Sequence, residues 1–247
     1  LALTHAGFVE AYNRIHLWIP IIEAIVVEDS SPPPRYPKAV LFDLLTALLD
    51  SWSLWNRSAG SDDGGRAWRA EYLRLTYGCG RYVEYEALVR QAAKQVGLPS
   101  SAPDALEANW LELAPWDEAL TALRQLQPHC KLAVVTNCSD RLGQRAAALL
   151  PVQWDAVVTA EEAGSYKPDP RPYHLALERL NVSPEEAAFV AGSSYDMFGT
   201  AAVGLRTYWH NRIGFPLVSG AQAPEIESPT LDALVAWASN FGAGIQP

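Results

Sequence analysis

The chain has 247 residues, 49% of them hydrophobic and 19% charged, which suits one large domain or a domain carrying an insert. Its formal net charge of −9 argues against nucleic acid or a membrane surface as a general partner, since both are anionic; a small anionic substrate needs only a local cluster of positive groups. The three cysteines, Cys79, Cys130 and Cys138, show no CxxC spacing, which argues against a disulfide framework or a zinc site and for a reducing, cytoplasmic compartment.

Residues 1–37 are expected to be an extension and linker. The apolar run Leu17 to Val27 contains Pro20 and Glu23 and falls short of the roughly 20 apolar residues of a bilayer span. It lacks the charged start of a signal peptide. An amphipathic segment fits it, packed on this chain or on a second copy; the second case makes the protein a homodimer. "SSPPPRYP", Ser30 to Pro37, reads as a stiff linker.

The first strand is "AVLF", closed by Asp43, a lone acid followed by Leu44, Leu45, Thr46, Ala47, Leu48 and Leu49. From Ser51 to about Pro115 no strand is predicted. "DGGRAWRAEYLRLTYG" and "YVEYEALVRQAAKQVGLP" instead space their apolar residues as helices do. Residues 51–115 are therefore expected to be a helical cap over the carboxyl ends of the strands, and 38–50 with 116–247 the core. In the core, "KLAVVT" ends at Thr136, "DAVVTA" follows at Asp155, "AAFVAG" ends near Gly192, and "RTYWH" begins at Arg206. Helix-like stretches separate them. "PRPYHLALERL" is opened by Asp169 as N-cap with Pro170 in its first turn. A last helix is expected from near Ser228, in "SPTLDALVAWAS". The pattern is α/β: a doubly wound parallel sheet with helices on both faces.

Ligands of such sheets bind at the carboxyl ends of the strands. The polar residues there form a set: Asp43, Thr136, Asn137, Lys167 in "SYKPDP", Ser193, Ser194 and Asp196. Each alone has a plain structural reading, as a turn former, a cap or a solvated charge. In this order they converge on one crevice. Cys138 lies close by but has no adjacent activating partner. His129, His174 and His210 show no metal-ligand spacing, and Trp52, Trp55 and Trp68 also suit core packing.

The sequence resembles the haloacid dehalogenase superfamily of aspartate-nucleophile hydrolases. Its four motifs fall at Asp43, at Thr136-Asn137, at Lys167-Pro168 and at Gly192 to Asp196, and the resemblance runs from about Lys38 to the C-terminal helix. It looks closest to the 2-haloacid dehalogenase branch, through "AWRAEYLRLTYGCGRYVEYEALVRQAAKQVGL", "LELAPWDEALTALRQL", "YKPDPRPYHLALERLNV" and "YWHNRIGFP". The resemblance implies a Rossmann-like core with a helical cap. It implies Asp43 as nucleophile, Lys167 holding it ionised, and Asp196 orienting Lys167 and helping to activate water. Thr136 and Asn137 would donate hydrogen bonds to the substrate carboxylate or the nucleophile. Arg69, of the pair Trp68-Arg69, would meet departing halide or the substrate carboxylate. Tyr173 would stand in the active site, and Leu45, with Leu44, Trp52 and Trp55, would exclude water.

The departures are informative. Leu45 stands where phosphatases of the superfamily carry a second Asp as general acid, and Leu cannot transfer a proton. Ser193 stands where an acid helps to bind magnesium. Both changes disfavour phosphoryl transfer, and no cofactor is expected, although Asp43 and Asp196 leave a weak magnesium site open. Thr46 and Ala47 replace a Gly-Thr pair, removing a hydroxyl that supports the nucleophile; the Thr46 side chain is expected to point elsewhere. Ala191 and Ser193 replace a Ser and an Asn, which leaves Ser193 at a substrate-binding position. The expected function is cleavage of a small haloacid through an aspartyl ester. The alternatives are a phosphatase acting on a small phosphorylated metabolite and a catalytically weak binding protein.

Overall fold

The apolar runs of the core become strands that are covered from both sides. The computed structural model describes residues 35–242; the amphipathic segment and most of the linker expected above lie outside them. In chain order the strands are β1 (Ala39–Phe42), β2 (Lys131–Thr136), β3 (Ala156–Thr159), β4 (Ala187–Ala191), β5 (Arg206–His210) and β6 (Ile226–Ser228). They form one sheet in the order β3-β2-β1-β4-β5-β6, with every pair parallel. This is the Rossmann-like doubly wound order. The strand order reverses at β1, where open sheets hold their ligands.

Alternation along each strand divides the core into two layers. Val40, Phe42, Val134 and Val190 face one apolar cluster, and Leu41, Val135, Phe189 and Trp209 face the other. Phe42 lies beside Val134 and Val190, so Asp43, Thr136-Asn137 and Gly192 leave the sheet at one edge.

Between β1 and β2 the chain forms α1 (Ser51–Ala59), α2 (Asp62–Gly78), α3 (Tyr85–Gln95), α4 (Ser101–Ala108) and a short turn at Trp110–Glu112. Asp50 caps α1 by accepting from Ser53 N at 3.0 Å, and Ser61 caps α2 through Gly64 N at 3.0 Å. This helical insert buries Trp55, Trp68 and Trp110 in the same cluster as Val40 and Phe42. Its two ends meet. Leu49 bridges Pro115 antiparallel, Asp50 N donates to Ala114 O at 2.8 Å and Trp116 N to Leu48 O at 3.0 Å.

The remaining helices are α5 (Ala119–Leu126), α6 (Asp140–Ala147), α7 (Ala160–Ala163), α8 (Pro170–Leu180), α9 (Asp196–Val203) and α10 (Leu234–Ser239). Asp169 caps α8 through Arg171 N at 2.9 Å, as its sequence requires. One expectation needs correcting. Ser228 does not open the last helix; it ends β6, and α10 starts only at Leu234. Its hydroxyl instead accepts from Thr230 N at 3.2 Å, so this segment turns before the helix begins. No helix among the described residues is long and apolar enough to cross a membrane.

Candidate active site

The turn after β1 wraps around Asp43. Leu48 N and Leu49 N both return to Leu44 O, which closes residues 44–48 into a tight loop. That loop delivers three donors to Asp43 Oδ2: Thr46 Oγ1 at 2.7 Å, Thr46 N at 3.0 Å and Ala47 N at 3.3 Å. The Thr46 side chain thus points at the carboxylate, contrary to expectation, and supplies a hydroxyl that Ala47 cannot. Gly192 packs on this turn, and a Cβ there would collide with the Thr46 hydroxyl.

Among the described residues Asp43 Oδ1 has one partner, the Lys167 ammonium at 2.8 Å. Lys167 Nζ also meets Asp196 Oδ1 at 2.9 Å. All three residues are buried, with Asp43 8%, Lys167 5% and Asp196 4% exposed. Burial raises the pKa of Asp43, but the Lys167 charge and the hydrogen bonds from Lys167 and Thr46 outweigh it, and the carboxyl is held below its ordinary value. Asp196 shifts the other way. Burial, aided by the neighbouring Asp43 charge, raises it despite the same ammonium. The difference is local: Asp196 lacks the three donors that cradle Asp43 Oδ2. Burial would lower the pKa of Lys167, but its two carboxylates raise it, so it stays charged.

The surroundings fix this array. Asn137 spans the Lys167 backbone: its Oδ1 accepts from Lys167 N at 2.7 Å and its Nδ2 donates to Lys167 O at 3.1 Å. Tyr72 Oη, from the helical insert, donates to Asn137 O at 2.8 Å. Tyr173 Oη donates to Asp196 Oδ1 at 3.2 Å, and its ring meets Phe189 edge to face at 5.2 Å.

In front of Asp43 lies a cavity of ≈ 290 Å³. Its wall includes Leu45, Thr136, Asn137, Lys167, Ser193 and Asp196 from the core, with Trp52 and Arg69 from the insert. Arg69 is only 9% exposed. Among the described residues it has no carboxylate partner: it donates to Ser51 Oγ at 2.7 Å and lies over the rings of Trp52 and Trp55, at 4.3 and 5.4 Å. Burial lowers its pKa.

Most of the expected residues therefore surround one cavity, with two differences. Tyr173 does not line it; the ring packs inside the core, and only the hydroxyl reaches the array. Asn137 does line it, but its amide is bound to the Lys167 backbone rather than turned to a ligand or the nucleophile. Trp55 and Trp68 are core residues, and Trp68 Nε1 donates to Val89 O at 2.8 Å. His210 is structural, set between Ala47 O and Pro229 O. Burial pushes the Cys138 thiol up to about 12, which leaves it unreactive. Sequence reasoning missed Ser51 and Tyr72, and it named Thr46 but turned its side chain away from Asp43. Ser51 carried a signal, being the first helical residue after the Asp50 cap.

A family model described as haloacid dehalogenase-like hydrolase matches residues 37–204. The chain belongs to that family. The match runs from before β1 to just past α9, so it takes in Asp43, Lys167 and Asp196 and stops short of the loop between β5 and β6. Haloacetate dehalogenase H-2 of Moraxella sp. (strain B) is 29% identical, over 80% of this chain and 96% of that protein. The (S)-2-haloacid dehalogenase of Pseudomonas sp. (strain YL) is 30% identical, over 81% of this chain and 94% of that protein. The solved structure of L-2-haloacid dehalogenase from Xanthobacter autotrophicus superposes with a TM-score of 0.69 at 26% identity, over 81% of this chain and 97% of that one. For a hydrolase of this family, the Asp43–Lys167–Asp196 array and the cavity before it form the candidate active site.

Proposed function

We propose that this hydrolase cleaves the carbon–halogen bond of a small 2-haloacid through an ester on Asp43. The observation that carries the reading is that, among the described residues, the cavity turns the Arg69 guanidinium to a leaving group while Leu45 stands where a phosphatase carries its proton donor. Arg69 is a buried guanidinium awaiting an anion. Leu45 occupies the position at which a phosphatase would need a proton donor, and the two carboxylates lining the cavity are both tied to Lys167. Halide departs with its electron pair and needs no proton. The two curated relatives named above, both haloacid dehalogenases, support the same substrate class.

The asymmetry of Asp43 sets the order of events. Oδ1, with a single partner, attacks the carbon as the halogen leaves, forming the ester. Oδ2 is then the ester carbonyl oxygen. Water attacks Cγ, its proton passing to Asp196 Oδ2, which accepts no hydrogen bond from the described residues. Negative charge develops on Oδ2, where the Thr46 hydroxyl and the two backbone N–H groups already stand, a preformed oxyanion hole. The ester bond breaks, the proton held by Asp196 goes to the departing alkoxide and a 2-hydroxyacid leaves; Asp43, returned as its acid, releases the second proton of the water to solvent and is ionised again beside Lys167. Thr136 Oγ1, whose only partner among the described residues is the weak acceptor Cys138 Sγ at 3.4 Å, can turn to the substrate carboxylate. Ser193 offers a second hydroxyl at the cavity wall. The helical insert acts as the cap that shields these charges from water. No metal is required in this scheme: Lys167 supplies the positive charge between Asp43 and Asp196, and Ser193 adds no carboxylate.

The test is a single turnover of 2-chloropropionate by excess enzyme in ¹⁸O-labelled water containing chelator. One labelled oxygen should appear in Asp43 and none in the product. Label in the product alone, or activity lost to chelation, would overturn the reading.

Two outcomes follow from the same geometry. Thr46→Ala should lower kcat about 10²- to 10³-fold, since one of three oxyanion donors is lost, while Thr46→Ser should keep most of it. The acid limb of kcat/KM should report the Asp43 carboxylate. Attack needs ionised Asp43, so kcat/KM should hold down to a pH below the ordinary aspartate range.

A further inference from the structure

The cavity before Asp43 holds more than a two- or three-carbon acid needs; its ≈ 290 Å³ lies near the lower end of pockets that take drug-sized ligands. The extra space is bounded by residues 211–218 of the loop between β5 and β6, which the family model does not cover. Two of this loop's wall residues, Ile213 and Phe215, are 40% and 43% exposed. Large apolar side chains left in water at the mouth of a cavity mark a contact surface rather than a folding need.

The loop is fixed in place. Asn211 Nδ2 donates to Phe215 O at 2.8 Å and to Glu227 Oε1 at 2.6 Å, and Asn211 Oδ1 accepts from Phe215 N at 2.9 Å. Gly214, at φ +66°, allows the turn between them. Phe215 then meets Trp52 of α1 edge to face at 5.4 Å. The apolar wall therefore stands before any ligand arrives. The polar groups nearby do not call for a polar arm. The Asn211 amide is committed to the loop, and Arg66 is exposed.

We infer that the preferred substrate carries an apolar arm of several carbons beyond the reacting centre, running from Leu45 past Trp52 to Ile213 and Phe215. The acid head of that substrate rests on the function proposed above; the arm rests on the cavity alone.

The experiment is calorimetric binding of unreactive straight-chain carboxylates, from butyrate to octanoate, to the whole chain. Affinity should rise roughly fourfold per added methylene at a single site, the increment expected for burying each methylene. Ile213→Asp, on an exposed position of the loop, should cut the octanoate-to-butyrate affinity ratio at least about tenfold. Flat affinity beyond butyrate, or a ratio unchanged in the variant, would overturn the inference. No turnover is involved, so the two proposals fail separately. Halide release with flat binding removes the arm, and length-dependent binding without halide release removes the dehalogenase reading.

Discussion

Asp43→Asn should lower kcat/KM for halide release by at least about 10⁴-fold, the scale on which covalent catalysts lose activity without their nucleophile. The amide has the same shape and keeps the donors of Thr46 and Ala47 close, but it has no anionic oxygen to attack carbon. Lys167 retains Asp196 at 2.9 Å. One buried negative charge goes, and with it one ion pair and one desolvation penalty. The change in stability should therefore stay within about 2 kcal/mol. Ion-chromatographic halide assay beside a thermal melt separates the two effects. A folded variant with activity within tenfold of the parent would place the nucleophile elsewhere.

Lys167→Met should be the most damaging single change in stability. It leaves two buried carboxylates side by side without their ammonium, and breaking a buried pair in this way typically costs about 3–5 kcal/mol. The pH dependence should change with it. In the parent, Asp43 has a lowered pKa, so its contribution is present above the ordinary aspartate value and lost as pH falls through the lower, folded value. Lys167 has a raised pKa, so its contribution is complete below the ordinary lysine value and lost only as pH rises through the folded one. Without Lys167, burial and mutual repulsion raise both carboxyls, and the folded state then takes up protons more readily than the unfolded chain. The gap in melting temperature between parent and variant should thus shrink as pH falls from about 7 to about 5. Residual halide release should be lower by up to about 10²-fold at neutral pH from this cause, because burial without the ammonium favours the protonated, non-nucleophilic carboxyl. A gap that does not change with pH would show that Lys167 does not hold these carboxylates ionised.

What the sequence disclosed follows from the kind of signal each part leaves. β1 to β4 are built on continuous apolar runs that lead into polar residues, and β5 on a Thr-Tyr-Trp core of strand-forming residues; such runs are readable. β6 is three residues long and half exposed at the edge of the sheet, with Glu227 between Ile226 and Ser228, so no run marks it. Asp43, Lys167 and Asp196 were legible from their order at strand ends. The direction of nearby side chains was not. Thr46 turns back to Asp43 because residues 44–48 coil into a turn, whereas simple alternation from β1 would send it away. Tyr173 sits on the inward face of α8, which its distance from Lys167 does not reveal. Asn137 grips the backbone of Lys167 from 30 positions away, a contact that only tertiary structure creates. The stretch "YWHNRIGFP" carried family likeness but no hint that Ile213 and Phe215 would stand at the cavity's mouth.

The bridge from Leu49 to Pro115 has an evolutionary reading. The two chain ends it joins are already neighbours, so whatever lies between them can be lengthened, shortened or exchanged without moving β1 or β2. The junction is a natural graft point, at which selection can recast the chemistry's roof while the carboxylate floor stays as it is.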